Sequence, residues 1–310
     1  MTTRGLVLGA GGVLGAAWTI GALSAIREHL DWEPQTADVL IGTSAGSVLA
    51  AALACGLTVD DLLDTQQGKP GARIDFDAEQ AGGALPPLPR IGIGSPRGLI
   101  GAALHPWRVT PLGALSAALP EGRGDIAPIG RLVDAMLPDG GWAPPRHPGS
   151  RTWIVAMDYD SGRRVPFGQV GQPLADLREA VMASCAIPGW YQPVRIGKRR
   201  YVDGGVCSPT SVDLVTRLRL DEVYVLSPMT SITFDSPTEV AARIERRFRR
   251  IMTRRVLNEV RKVAATGTKV TFLGPTAADL EVIGANMMDP RRRAQVLQTA
   301  LATSASALAA

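Results

Sequence analysis

Residues 39–46 read Val39-Leu40-Ile41-Gly42-Thr43-Ser44-Ala45-Gly46, and a run rich in alanine and leucine follows as far as Cys55. The apolar residues before Gly42 predict a short buried strand, and the Ala/Leu run predicts a helix with Gly56 as its C-cap. Between them stands Gly-x-Ser-x-Gly. In that context the glycines permit a sharp turn that lifts a serine hydroxyl above the sheet edge. The start of the following helix places partial positive charge where an oxyanion would develop. Ser44 is therefore a candidate nucleophile, with Gly42 and Gly46 permitting its turn. The alternative is a serine that only caps a helix.

Toward the N-terminus the order is again strand, glycine loop, helix: Leu6-Val7-Leu8, then Gly9-Ala10-Gly11-Gly12-Val13-Leu14-Gly15, then a helix to about Leu30, with a break at Pro34. Backbone N–H groups at a helix start, free of side chains, can hydrogen-bond a tetrahedral oxyanion. A dinucleotide-binding loop would need an acidic residue about twenty positions later, at the end of a second strand. Asp31 and Glu33 lie near that distance but precede Pro34 instead of ending a strand. Strands alternating with helices predict a mainly parallel sheet covered on both faces, a three-layer α/β/α fold.

Toward the C-terminus, residues 66–150 change character, with prolines and glycines such as Pro86, Pro87, Pro89, Gly92, Gly94, Pro96, Pro106, Pro144 and Pro145. So long an irregular insertion reads as a lid or substrate wall, or else as a surface excursion. Regularity returns with a strand at 153–157 ending at Asp158, which reads as structural. A helix over 174–183 follows. Tyr201-Val202 then leads to Asp203-Gly204-Gly205, and residues 223–226 form another buried strand. A long arginine-rich helix is expected from Pro237 to about Ala265, and a last helix from about Pro290 to Ser306.

A serine nucleophile needs a base. The three histidines are His29, His105 and His147. An α/β-hydrolase orders its triad Ser, Asp, His, and no histidine follows residue 147. Asp203 ends an apolar strand before two glycines and is either the base or a turn residue.

These motifs together resemble the patatin-like phospholipase family: the glycine loop over 9–15, Gly-x-Ser-x-Gly over 42–46, and Asp203-Gly204-Gly205, in that order. The segment Ser184-Cys185-Ala186-Ile187-Pro188 is similar to the family's Ser-x-Ala-x-Pro. The resemblance spans roughly residues 5–218, which implies a catalytic domain there and leaves 219–310 as a final strand with a helical extension. It implies a Ser44–Asp203 dyad and an oxyanion hole at the amides of Gly11 and Gly12. The expected reaction is hydrolysis of carboxylic esters, of acyl lipids or phospholipids, through an acyl-enzyme. An acyltransferase with the same dyad, or a non-catalytic lipid-binding protein, are the rival readings. No cofactor or metal is expected. The loop departs from the family pattern at Ala10, where glycine is usual, and at Leu14, where a cation is usual. Trp190 and Tyr191 either line an acyl pocket or pack in the core.

Composition agrees with a well-cored protein: 310 residues, 45% apolar, net charge +4, with a mean hydropathy of +0.09. Cys55, Cys185 and Cys207 form no paired motif, so they read as core residues in a reducing compartment. The apolar run after Arg4 is broken by five glycines before residue 16 and reads as part of the fold, not a secretory leader. No stretch approaches the length of a spanning helix. A cytoplasmic protein with peripheral membrane contact is expected. The basic excess after residue 240 is nearly all arginine, with Arg243, Arg246, Arg247, Arg249, Arg250, Arg254 and Arg255 interleaved with Val240, Ile244, Phe248, Met252 and Val256. That is a basic amphipathic helix, which either meets an anionic membrane or packs its apolar stripe on the domain with solvated arginines. Nothing resembles a nucleic-acid-binding module.

Overall fold

The computed structural model describes residues 2–74, 87–105, 109–231 and 240–309. Eight strands form one sheet: β1 (Arg4–Leu8), β2 (Val39–Thr43), β3 (Arg151–Asp158), β4 (Arg164–Phe167), β5 (Val194–Ile196), β6 (Arg199–Asp203), β7 (Glu222–Leu226) and β8 (Lys269–Leu273). Their order is β5-β6-β3-β2-β1-β7-β8, with β4 also paired to β3. The five strands from β3 to β8 run parallel, and β4, β5 and β6 join antiparallel.

The helices are α1 (Gly12–Leu30), α2 (Ala45–Ala54), α3 (Val59–Gln67), α4 (Pro96–Leu104), α5 (Pro111–Ala118), α6 (Ala127–Met136), α7 (Leu177–Cys185), α8 (Val240–Ala264), α9 (Ala277–Ile283) and α10 (Arg293–Ala309). Strand alternation divides the apolar residues between two cores. Leu6, Leu8, Leu40 and Ile154 pack with α1, α2, α6, α7 and α10 on one face. Val7, Ile41, Trp153, Val223 and Val225 pack on the other with Val212 and Val215 of the 3-10 turn Val212–Arg217 and with Val263 of α8. The three-layer expectation holds.

Residues after 219 are built into this sheet: β7 pairs with the central β1 and α10 lies along α1. At their crossing a Cβ on Gly21 would stand 2.8 Å from that of Ala300, so only glycine allows this approach. The stretch 66–150 is less irregular than its prolines suggest, because Pro96, Pro111 and Pro128 open helices α4, α5 and α6. Proline in a first turn sacrifices an N–H that has no partner there anyway. Pro86 and Pro106 lie outside the described residues.

The long basic helix is present from Val240; its expected start at Pro237, and the side chains of Val240 and Ile244, lie outside the described residues. Its arginines are not all solvated. Arg246 and Arg249 are buried and ion-paired with Glu245, and Arg249 donates to the Pro228 and Thr230 carbonyls. Met252 and Val256 are buried, whereas Phe248 and Ile251 are exposed beside Arg243, Arg247, Arg250 and Arg254.

Candidate active site

In an open α/β sheet the ligand crevice lies beyond the carboxyl ends of the strands, where neighbouring connections diverge. The chain leaving β1 enters the glycine loop and the chain leaving β2 enters Ser44, so both motifs meet there. Ser44 has φ 53° and ψ −125°, a conformation strained for any residue with a Cβ. Its neighbours allow the turn because they are glycines. A Cβ on Gly42 would come within 2.5 Å of the Gly46 oxygen, and one on Gly46 would collide with the Leu8 carbonyl. The Ser44 N–H donates to Ser184 Oγ at 2.9 Å, and Ser184 donates onward to the Val155 carbonyl at 2.6 Å. Ser47 Oγ donates to the Ser44 carbonyl. Ser44 is the N-cap residue of α2, but its side chain makes no capping hydrogen bond.

Asp203 ends β6, 6% exposed. Burial pushes its carboxyl up to about 6, opposed by hydrogen bonds with the Ser44 hydroxyl and the Gly205 N–H; the latter measures 2.7 Å. Gly204 presses against the Val155 backbone, and a Cβ on Gly205 would sit 3.2 Å from that of Ala10. The Asp-Gly-Gly turn thus seats the carboxylate between β3 and the glycine loop.

In that loop the N–H groups of Gly9 and Ala10 bond to the carbonyls of Leu226 and Pro209, and that of Leu14 to Met287. The amides of Gly11 and Gly12 have no such partner among the described residues, as expected of a helix start. Gly12, at φ 58°, borders the cavity that Ser44 enters. Gly11 is wedged instead against Pro228, whose Cγ would lie 2.5 Å from an added Cβ. Ala10 is not among the positive-φ residues and is accommodated. Leu14 is fully buried in the core, where a cation would have no water.

The cavity has a volume of about 110 Å³, is open at its mouth and is mainly apolar. Ala45, Val48, Leu49 and Ala52 line it from α2, a single helix face at i, i+3, i+4 and i+7. Ala16 and Ile20 of α1, Leu62 of α3, and Ile129, Leu132 and Met136 of α6 complete its walls. Tyr191 lines it; Trp190 is only partly buried and packs against the core. Cys185 also lines it, but burial pushes its thiol up to about 12, so it stays protonated. No histidine borders the cavity among the described residues. His29 meets the Ala25 carbonyl within α1 and His147 approaches Asp38. Asp158 is structural, accepting from the Asp160 and Ser161 amides and pairing with Arg199.

Among the described residues no helix is long and apolar enough to cross a membrane. No curated protein matches the chain in sequence. The crystal structure of VipD from Legionella pneumophila aligns over 99% of this chain and 67% of its own, with a TM-score of 0.47 and 13% identity. The family model for patatin-like phospholipases matches residues 6–216, a span that contains the glycine loop, Ser44, Ser184 and Asp203. With most of its length under that match, the chain belongs to the patatin-like phospholipase family.

Proposed function

We propose that this chain hydrolyses carboxylic esters of acyl lipids through a Ser44–Asp203 dyad. The observation that carries the reading is the buried Asp203 carboxyl beside a strained serine that opens onto an apolar cavity. Membership of a lipid acyl hydrolase family supports the same chemistry. The acyl chain occupies the α1–α2–α6 cavity and its ester carbonyl meets Ser44. Asp203 takes the hydroxyl proton as Ser44 Oγ attacks, and the amide of Gly12, with that of Gly11, stabilises the oxyanion. The proton passes to the leaving alcohol oxygen as the ester bond breaks. Water then gives a proton to Asp203 as it attacks the acyl-serine, which releases the acid and returns the proton to Ser44.

The exposed arginine face of α8, with Phe248 and Ile251, brings the chain to an anionic lipid surface. The test of the reaction is labelling with a fluorophosphonate followed by peptide mass mapping. An adduct on Ser44, absent in Ser44→Ala, supports the dyad; modification elsewhere, or none, overturns it. Including a free alcohol acceptor separates hydrolysis from acyl transfer.

A further inference from the structure

The lining of the active-site cavity contains one charged side chain among the described residues, Arg293. It comes from the first residue of α10, far in sequence from both catalytic motifs. The segment before it is fixed onto the glycine loop. The Met287 carbonyl accepts the Leu14 N–H at 2.9 Å, and the Met288 sulfur would stand 2.9 Å from a Cβ on Gly12. Of the three consecutive arginines, Arg291 is engaged with Asp289 at 2.8 and 2.7 Å and Arg292 reaches the Val282 carbonyl. Arg293 makes no hydrogen bond or ion pair with any described residue.

A guanidinium half-buried against an apolar wall, without a counter-charge, is poorly compensated. Its planar set of donors matches the oxygens of a phosphate or carboxylate. We infer that Arg293 forms an anion subsite at the cavity of Ser44 and selects acyl esters that carry a phosphate over neutral ones. With the acyl chain along α2 and the ester carbonyl at Ser44, the phosphate side of the molecule lies toward Gly12, Met288 and Arg293. This assignment rests on the acyl-lipid reading of the same cavity.

Calorimetric binding in a Ser44→Ala background tests the subsite without requiring turnover. The probes are a short-chain, monomeric phosphatidic acid, the matching diacylglycerol, and inorganic phosphate alone. Arg293→Gln is expected to lower the ratio of phosphatidic acid to diacylglycerol affinity by about tenfold, the scale of a hydrogen bond to a charged group. Arg293→Lys should restore part of it, because a point charge keeps the attraction and loses the fork. An unchanged ratio in Arg293→Gln overturns the subsite even if Ser44 proves to be the nucleophile. Conversely, a fall in the ratio upholds it even if no ester is turned over. Inorganic phosphate binding as tightly as the phospholipid, with the same dependence on Arg293, would assign the site to free phosphate and overturn the lipid assignment.

Discussion

The backbone N–H of Ser44 donates to the side chain of Ser184, which is itself anchored on the Val155 carbonyl of β3. This relay ties the turn after β2 to the neighbouring strand and to α7, holding a conformation that Ser44 would not adopt alone. In Ser184→Ala the Ser44 N–H is left buried without an acceptor, which costs about 1–3 kcal/mol. In the proposed role of Ser44 the lost bond fixes the attacking group and not the substrate, so kcat should fall with little change in KM. Denaturant melts and steady-state kinetics on one soluble ester check both halves. A variant as stable and as active as the parent would remove Ser184 from the positioning of Ser44.

The small residues of α2 set the width of the cavity. Ala52 lies just over two turns beyond Ser44, about 12 Å along the helix. Ala52→Phe should therefore obstruct the distal part of an acyl chain. Palmitoyl esters are expected to lose at least about tenfold in kcat/KM, the scale of a lost or clashing pair of methylenes, while butyryl esters lose much less. Equal losses on both would place the chain along a different wall.

On α8 the exposed residues Arg243, Arg247, Arg250 and Arg254 share one face with Ile251. Each basic group near an anionic surface contributes about 1 kcal/mol. Co-sedimentation with phosphatidylglycerol vesicles should exceed that with phosphatidylcholine vesicles, and Arg247→Glu with Arg254→Glu should abolish the difference. Equal sedimentation with both lipids in the parent chain would exclude an electrostatic surface role for this helix.

What the sequence made legible is local. Gly42 and Gly12 are glycine for reasons visible in their own turns, and the strand–turn–helix setting of Ser44 was legible in the sequence. The strand end at Asp203, followed by two glycines, was equally legible. Long-range partnerships were less accessible. Arg293 entered the site through the docking of α10 on α1, and nothing within residues 290–293 signals that contact. Ser184 was visible as part of a motif, but its bond to Ser44 depends on the β2–β3 register. β8 and α9 were missed because Val270 and Phe272 make only a short half-buried pattern and α9 has two turns. The cavity wall on α6 had a signal that went unread: Ile129, Leu132 and Met136 recur at helical spacing within a stretch dominated by prolines. The burial of Arg246 and Arg249 followed from Glu245, which supplies a counter-charge that an apolar-periodicity reading ignores.

Asp203 joins activity and stability in opposite directions. Its carboxyl is raised to about 6 by burial, against about 3.9 in an unfolded chain. In its proposed role as base it must be ionised, so kcat/KM should rise with pH through a midpoint near 6 and level off above it. For stability the sign is reversed. Between pH 4 and 6 the folded state holds a proton that the unfolded state has lost, so stability declines as pH rises through that window, and the full penalty persists above it. A difference of about two units corresponds to a penalty on the order of 2–3 kcal/mol at pH 8. Asp203→Asn keeps an oxygen for the Gly205 N–H but carries no charge. It should nearly abolish turnover while raising the melting temperature at pH 8, and the gain should shrink as pH falls through 6. Single alanine changes at His29, His105 and His147 should leave most activity and the same pH midpoint. Paired thermal melts and pH–rate profiles test both predictions. An inactive Asp203→Asn that is less stable than the parent at pH 8 would mean that the buried charge is compensated by contacts beyond Ser44 and Gly205. An active one would exclude Asp203 as the base altogether.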